Sequence, residues 1–496
     1  MEDIGAKLAR LSPAKRSLVE ERLGRTSSLI KDLENIKKGL AQEYQRVPRN
    51  QPLPVSHTQE IQLEYLEWIA SHAVQVKPPE VFALFRITGQ LDELALRKAL
   101  GEIVRRREVF RTTFHHEGNG FTQIIHPPVE VPIGIECLRE DSENDENATI
   151  RKFVNEQMLQ PLDLANDLLL RVRLLRLRED DAVLLLITHH IIFDDYSQNL
   201  LVRELITLYG AFAKGAASPL PEPSLQFADF TYWQRQWLKG EILENLVAYW
   251  RRQLHGMQLM PELELPFDRV LPADATHQAA SQYLHIPTQF YELIKNLASQ
   301  KKITVFMLLL AVLKALLHFY TGKVDIAVVA PIANRHWPET ENVIGYFANS
   351  LILRTDLSGD PEFTDLLQRV RKTTVDAYAH QDLPLPVLLK ALNGDYESRR
   401  SYVFFNMVSE TAQGLRQLPG LGIQMMNINR LNRVAKSGIR VHAKEGRSGL
   451  RLTFVYEAER LYADDVARML HDFQSILKAV TLNAQRRLSE LSPAKT

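Results

Sequence analysis

The chain has 496 residues, more than one ordinary hydrophobic core needs, so we expect two lobes of about 200 residues each. With 45% hydrophobic and 24% charged residues, the composition is that of a globular protein and excludes a disordered or fibrous chain. Lysine plus arginine and aspartate plus glutamate both total 60, which excludes long-range attraction to nucleic acid or to an anionic membrane.

Targeting signals and cysteines narrow the possibilities further. The N-terminal stretch "MEDIGAKLARLSPAKRSL" has no apolar core behind its charged residues, and no run reaches the roughly 18 apolar residues of a membrane span. We therefore expect a cytoplasmic protein without a membrane partner. The single cysteine, Cys137, excludes an internal disulfide and a multi-cysteine metal site, and its surroundings "IGIECLRE" favour a packing role over a nucleophile.

The first 48 residues are predicted to form a helical linker or docking segment. Ser12 and Pro13 begin one helix and Gly24 ends it, and apolar residues at helical spacing between Ile30 and Leu40 mark a second. The stretch "RVPRNQPLP" then reads as a linker. Amphipathic helices at a terminus are also typical of plain packing, so both interpretations stay open.

An N-terminal lobe is predicted over residues 49–225. "VFALFRI", from Val81, suits a strand, Asp92 can cap the helix that follows, and "FRTTF" returns to an extended pattern, so the lobe is of the α/β class. The apolar strand "AVLLLITHH" (182–190) precedes a helix near 198–214. Two adjacent histidines are therefore expected at the exit of a strand.

A second α/β lobe is predicted over residues 226–490. The break "GAASPLPEPS" (215–224) places the boundary near residue 225, and the clearest unit beyond it is the helix 304–320, closed by Gly322, followed by the strand 324–332. No GxGxxG, GxxxxGK[ST] or HExxH pattern occurs, which argues against nucleotide-binding and zincin chemistry.

The histidine pair, His189 and His190, is the strongest candidate for a chemical site. Successive side chains of a strand point to opposite faces, so only one of the two can address a given cleft. A neutral imidazole there suits removal of a proton from an amine or hydroxyl. On spacing alone a structural role is favoured over catalysis, and a metal site is disfavoured because adjacent histidines on a strand chelate poorly.

Several stretches taken together resemble the condensation domains of nonribosomal peptide synthetases, which belong to the chloramphenicol acetyltransferase-like superfamily. "THHIIFDDYS" is similar to their HHxxxDG signature, and "RREVFRTTF" (106–114) is similar to RHExLRTxF. Further similar stretches follow in the family's order: "SHTQEIQLEYL" (56–66), "PLDLANDLLLRVRLLRL" (161–177), "FADFTYW" (227–233), "PIANRHWPETENVIGYFANSLILRTD" (331–356) and "HQDLPLPVLL" (380–389). The resemblance covers about residues 50–475.

The resemblance implies a V-shaped pseudo-dimer of two chloramphenicol acetyltransferase-like lobes with a central tunnel. A carrier protein would bring an acyl thioester on its phosphopantetheine arm to one side, and an acceptor amine or hydroxyl would enter from the other. No cofactor is implied on the chain itself, and we expect a monomer. Amide or ester formation, with chain release as one possible outcome if the chain is free-standing, is the expected activity.

The resemblance also assigns roles to individual residues. His190, His189 and Asp194 form the expected catalytic motif. Within it, His190 corresponds to the residue that either acts as general base or orients the nucleophile and stabilises the tetrahedral intermediate, whereas His189 corresponds to a structural position. Asp194 is expected to form a salt bridge with Arg335, because a guanidinium can hold a carboxylate in one pose. Asn349 is expected either to line the tunnel or to serve as a helix cap or turn residue.

One position departs from the family pattern, because Asp195 stands where the signature has glycine. Glycine permits backbone angles that aspartate tolerates less well. Three outcomes follow: altered acceptor binding, direct contact between Asp195 and a cationic or hydroxylated acceptor, or a catalytically silent recruitment domain. An epimerisation-type domain, which shares the fold and the histidine motif, is a further alternative.

Overall fold

The computed structural model of the chain describes residues 46–72, 80–118, 120–137, 145–257, 265–271, 278–392, 403–409, 416–418, 420–426 and 438–491. The two helices predicted within residues 1–48 lie outside these ranges and stay a prediction.

Strands and helices alternate along most of the described chain. The strands are β1 (Leu53–Pro54), β2 (Glu80–Gly89), β3 (Thr112–Glu117), β4 (Gly120–Ile125), β5 (Ile133–Cys137), β6 (Leu170–Arg178), β7 (Asp181–His189), β8 (Ala279–Pro287), β9 (Asp325–Ile332), β10 (Asn349–Asp356), β11 (Phe404–Ser409), β12 (Arg416–Leu418), β13 (Leu421–Met425), β14 (Arg440–Gly446) and β15 (Gly449–Glu457). The helices are α1 (His57–Ser71), α2 (Glu93–Arg106), α3 (Glu146–Met158), α4 (Asp195–Phe212), α5 (Phe227–Trp237), α6 (Gly240–Gln253), α7 (Thr288–Gln300), α8 (Val305–Thr321), α9 (Phe363–Ala379), α10 (Leu385–Ala391) and α11 (Ala463–Leu482).

The first lobe is built on a six-stranded sheet in the order β12-β13-β2-β7-β6-β5. Strand β7 lies at its centre and is buried along its whole length, which explains its unbroken apolar sequence. Helices α2 and α4 pack together, and side chains of both lie beside residues of β2 and β7. The predicted strand and helix on either side of the histidine pair are therefore present, and the pair lies at the end of β7.

The second lobe is built on another six-stranded sheet, in the order β10-β9-β11-β14-β15-β8. Helix α8 crosses it as the main core helix, and every residue from Met307 to Leu317 is buried. Thr304 caps its first turn and Gly322, at φ +68°, ends it in the left-handed conformation, as the sequence predicts. Both lobes are thus of the mixed α/β class.

The two lobes are joined by backbone hydrogen bonds as well as by side-chain contacts. Strands β12 and β13 come from the second half of the chain, yet β13 pairs antiparallel with β2 of the first lobe. Gly89, at φ +106°, lies so close to this hairpin that a Cβ atom there would collide with the carbonyl oxygen of Gly420. The pairing of β13 with β2 was not predicted from the sequence. The lobe boundary near residue 225 stays a prediction.

No single helix in the described ranges has the length and apolar composition of a membrane span. Helices α7 and α8 pass that test only as a pair, which is bent by 99°.

A fully buried lysine, Lys314, connects helix α8 to the second sheet. Its Nζ donates hydrogen bonds to the carbonyl oxygens of Ile326 (2.8 Å) and Leu353 (2.6 Å). Burial lowers the pKa of Lys314 to about 7, although Asp325 opposes the shift. The lysine therefore carries an electrostatic cost that its two hydrogen bonds only partly offset.

Replacing this buried amine should alter the pH dependence of stability. Between pH 7 and about pH 10.5 the unfolded chain binds one more proton at Lys314 than the folded chain, so the free energy of unfolding rises with pH in that window, by at most about 1.4 kcal/mol per pH unit. We expect Lys314→Met to flatten this rise in urea denaturation between pH 7 and pH 9. Lys301→Met, which removes a part-buried lysine bonded to Thr364 Oγ1, is the matched control. Equal slopes in both variants would contradict the assignment.

Candidate active site

The histidine loop connects the end of β7 to the start of α4. Two hydrogen bonds make it compact, from the Ile192 amide to the His189 carbonyl (3.1 Å) and from the Phe193 amide to the His190 carbonyl (3.4 Å). Gln59, on α1, donates from Nε2 to the Ile191 carbonyl at 3.0 Å. The backbone that carries both histidines is thus held by hydrogen bonds within the loop and by one from helix α1.

His189 lies inside the first lobe, with only 2% of its surface exposed. Its Nδ1 accepts a hydrogen bond from the Ile191 amide at 3.1 Å. Burial, with a smaller effect of the neighbouring His190, lowers the pKa of His189 to about 3. An imidazole that stays neutral and is buried at a strand end has the geometry of a structural residue, which agrees with the role expected for it.

His190 is the half-buried member of the pair. Its Nδ1 lies 2.7 Å from the carbonyl oxygen of Phe193. Because a carbonyl can only accept, Nδ1 carries the proton of the neutral ring, and Nε2 keeps a lone pair. The ring also contacts Tyr346 of the second lobe, with 4.9 Å between the ring centroids. The local geometry therefore presents one imidazole nitrogen that is able to accept a proton.

Asp194 ends the loop and caps helix α4. Its Oδ1 accepts from the Ser197 amide at 2.8 Å, which is the usual bond of a helix N-cap. Its Oδ2 accepts from the amide of Phe347 in the second lobe at 3.1 Å. Arg335 donates to both oxygens, at 3.0 and 3.2 Å. The carboxylate is saturated by these contacts, and the expected ion pair with Arg335 is present.

Arg335 uses its guanidinium to hold the second lobe's own backbone. It donates to the carbonyl oxygens of Thr340 (3.0 Å) and Val343 (2.7 Å). Its Cζ lies 4.0 Å from the ring centroid of Phe347 and 4.6 Å from that of Tyr196, so the cation is enclosed by aromatic rings. A lysine could not reproduce this planar set of contacts.

The charges of the pair are almost completely removed from water. The side chains of Arg335 and Asp194 are 2% and 3% exposed. Burial lowers the pKa of Arg335, and Asp194 counteracts that effect. Because the carboxylate is paired with Arg335 and both of its oxygens accept hydrogen bonds, Asp194 supports the geometry of the loop rather than proton transfer.

Two residues that the sequence analysis gave no role are part of this arrangement. The Ser197 hydroxyl donates to the Gly345 carbonyl (2.8 Å), accepts from the Gly345 amide (3.0 Å) and contacts Arg335 (2.9 Å). Gln59 forms a capping box with Ser56 in addition to its bond to the histidine loop. The S-x-x-Q pattern could have revealed the cap. Ser197 has no local signal, because its partners are about 140 residues away.

Asn349 lies at the start of β10 and is buried. Its Nδ2 donates to the carbonyl oxygens of Gln381 (2.9 Å) and Leu383 (2.8 Å). Its Oδ1 accepts from the amide of Leu385, the first residue of α10, at 2.9 Å. These bonds occupy the amide group, so the geometry favours the turn and helix-cap role over the tunnel-lining role.

Asp195 is the first residue of helix α4 and is exposed to solvent. Its backbone is helical, and it is absent from the described non-glycine residues with positive φ, which are Lys302, Asn334 and Asp360. The position does not require glycine for conformational reasons, and an acidic side chain in the first turn interacts favourably with the helix dipole. The departure from the signature therefore adds a charge without backbone strain.

Two further sets of residues bear on metal and thiol chemistry in the described ranges. No group of three or more histidine, cysteine, aspartate or glutamate side chains is arranged there to hold a metal ion. Cys137 is a free cysteine at the end of β5 and is exposed, so the packing role expected for it is wrong.

Comparison with known proteins gives the family. The model of the condensation domain family matches residues 80–496. A linear gramicidin synthase protein of Brevibacillus parabrevis is 36% identical over 441 residues, which cover 88% of this chain. The chain spans only 6% of the length of that relative.

Solved structures show the same architecture. The X-domain in its complex with OxyB from teicoplanin biosynthesis has a TM-score of 0.78 and 25% identity, covering 90% of this chain and 97% of that one. The first condensation domain of the calcium-dependent antibiotic synthetase, in complex with a substrate analogue, has a TM-score of 0.70 and 17% identity, covering 89% and 99%. The expected α/β fold of two chloramphenicol acetyltransferase-like lobes is confirmed, whereas the central tunnel stays a prediction. The chain belongs to the condensation domain family of the nonribosomal peptide synthetases.

Proposed function

We propose that this condensation domain is an acyltransferase that moves an acyl chain from a carrier-protein thioester to an acceptor amine or hydroxyl. The observation that carries the proposal is the orientation of His190, whose Nδ1 lies against the Phe193 carbonyl and leaves Nε2 available. The product is an amide or an ester, with chain release as one form of the reaction. Carrier protein and acceptor are the partners, and phosphopantetheine arrives as part of the donor substrate.

The reaction needs only one imidazole and two positioned substrates. The acceptor nitrogen or oxygen attacks the thioester carbonyl while His190 Nε2 takes or directs its proton. The tetrahedral intermediate then collapses, the carbon–sulfur bond breaks, and the phosphopantetheine thiolate leaves and recovers a proton. Because a thiolate is a good leaving group, holding both substrates beside the imidazole can supply most of the rate enhancement.

The family relationship supports a peptide-synthetase setting. Linear gramicidin synthase and other peptide synthetases contain segments that are 30–36% identical to this chain. Aminoacyl or peptidyl chains are therefore the donors to test first. The monomeric state and the cytoplasmic location expected from the sequence belong to this proposal as well.

Removing the imidazole provides the first test. His190→Ala should lower the rate of product formation by about 100-fold or more, because it eliminates proton transfer or orientation at the acceptor. Mass spectrometry of a loaded carrier protein incubated with acceptor amines and alcohols measures this directly. His318→Ala is the matched control, since that histidine also places Nδ1 next to a backbone carbonyl, at 2.8 Å from Lys323. Undiminished turnover in His190→Ala would refute the proposal.

The same measurement separates an epimerisation-type activity from condensation. Condensation changes the mass carried by the donor carrier protein, whereas inversion of an amino-acid centre leaves that mass unchanged. A chiral analysis of the released amino acid that shows inversion without acyl transfer would establish the epimerisation alternative.

A recruitment domain is the second candidate, favoured by two observations. Asp195 replaces the signature glycine, and the solved X-domain that resembles this chain was determined in complex with OxyB. A domain of this kind would bind a partner enzyme without condensing substrates. The intact geometry around His190 and the unstrained backbone at Asp195 favour the active domain.

Substitution of Asp195 distinguishes the two candidates. For an active domain we expect turnover by the natural chain and changes below about tenfold in Asp195→Gly, because the position needs no special backbone angle. Asp195→Asn, which removes the charge but keeps the shape, should raise the KM for cationic acceptors if the carboxylate contacts them. A silent natural chain that becomes active as Asp195→Gly would establish the recruitment role instead. Carrier-protein mass spectrometry reads out all three proteins.

A further inference from the structure

An aromatic side chain of the second lobe lies against the candidate catalytic imidazole. The ring of Tyr346 is 4.9 Å from that of His190, centroid to centroid, and tilted by 58°. Tyr346 is half-buried and belongs to the segment between β9 and β10, whereas His190 follows β7 in the first lobe. The contact therefore joins the two lobes at the candidate active site.

The backbone on both sides of Tyr346 is fixed by bonds to the first lobe. The Ser197 hydroxyl bonds to both the amide and the carbonyl of Gly345, the residue before Tyr346. The amide of Phe347, the residue after it, donates to Asp194. The tyrosine is thus held between two anchored residues, and its Cα cannot shift without breaking bonds to the start of helix α4.

Packing restrains the same segment from the other side. A Cβ atom at Gly345 would collide with the ring of Phe227, so the backbone lies directly on that ring. Phe227 in turn packs on Phe347, with ring centroids 4.9 Å apart. Hydrogen bonds and close packing together make the placement of Tyr346 an obligatory result of the interface between the lobes.

A ring in this position affects the imidazole in two ways. It occupies space beside the His190 ring, whose Nδ1 is hydrogen-bonded to the Phe193 carbonyl. The centroid distance also lies within the roughly 6 Å over which the face of an aromatic ring attracts a cation, and in the role proposed below this attraction stabilises the imidazolium formed when Nε2 takes the acceptor's proton. Both effects act through His190 and require no contact between tyrosine and substrate.

We propose that Tyr346 is a positioning residue for His190, and that the bonds from Asp194 and Ser197 to its neighbours serve catalysis by presenting this ring to the imidazole. The inference rests on the proposed acyltransferase function. It assigns the work to the aromatic ring rather than to the phenolic hydroxyl. Phenylalanine at position 346 should therefore preserve the function of Tyr346, whereas leucine should not.

The experiment compares Tyr346→Leu and Tyr346→Phe with the natural chain in the loaded-carrier assay. We expect the leucine variant to lower kcat by about five- to thirtyfold, the factor that corresponds to a lost cation–π attraction at a partly desolvated site, with the KM for the loaded carrier unchanged. The phenylalanine variant should stay within about twofold of the natural chain. Tyr462→Leu, which removes a tyrosine 4.1 Å from the Arg269 guanidinium in another part of the second lobe, should leave kcat unchanged.

The outcomes separate this inference from the proposed function. Equal kcat in the leucine variant and the natural chain would overturn the inference, and so would a phenylalanine variant as slow as the leucine variant, because the hydroxyl would then be the active group. Undiminished turnover in His190→Ala, or no turnover in the natural chain, would defeat the proposed function.

If the proposed function fails, a measurement that does not depend on activity still tests the contact between Tyr346 and His190. The His190 ring protons, assigned by their absence in His190→Gln, should show a ring-current shift in NMR spectra. This shift should be retained in the phenylalanine variant and lost in the leucine variant. Identical His190 spectra in all three proteins would overturn the inference.

Discussion

The buried ion pair between Asp194 and Arg335 is the interaction on which the candidate active site depends. Removing two such charges from water costs several kcal/mol per ion, and this cost is offset only where the remaining hydrogen-bonding positions are used. Here the carboxylate also accepts two backbone amides and the guanidinium donates to two backbone carbonyls. Loss of either partner would leave the other charge buried, at a cost of about 3–5 kcal/mol.

This pair gives the site its two-lobe character. Asp194 begins helix α4 of the first lobe, and the bonds of Arg335 fix the segment that leads to β10 in the second. The hairpin β12–β13 adds a backbone connection, because β13 extends the first lobe's sheet along β2. The surroundings of His190 are thus determined by how the lobes meet, and neither lobe forms them alone.

The sequence predicted the parts of this arrangement that have a local signal or a family motif. An apolar strand that ends at the pair, followed by a predicted helix, was sufficient to place His189 and His190 at a strand exit, and the motif resemblance supplied the pairing of Asp194 with Arg335. The exchange of β13 was not predictable in this way, because its pairing with β2 joins residues more than 330 positions apart and leaves no periodic pattern. Long separation in sequence also explains why the bonds of Ser197 to Gly345 were missed, whereas the cap role of Asn349 was one of the two alternatives expected for it.

The partner of the His190 imidazole distinguishes this site from a Ser-His-Asp triad. In a triad a carboxylate orients the imidazole and stabilises its protonated form. Here the Phe193 carbonyl orients the imidazole through a hydrogen bond to Nδ1. The nearby carboxylate of Asp194 forms its ion pair with Arg335 and not with the imidazole. Such an arrangement suits a reaction whose leaving group needs little assistance, because orientation of the acceptor then matters more than strong proton abstraction. In the proposed reaction, stabilisation of a transient imidazolium would fall to the uncharged ring of Tyr346, which the ion pair itself helps to place.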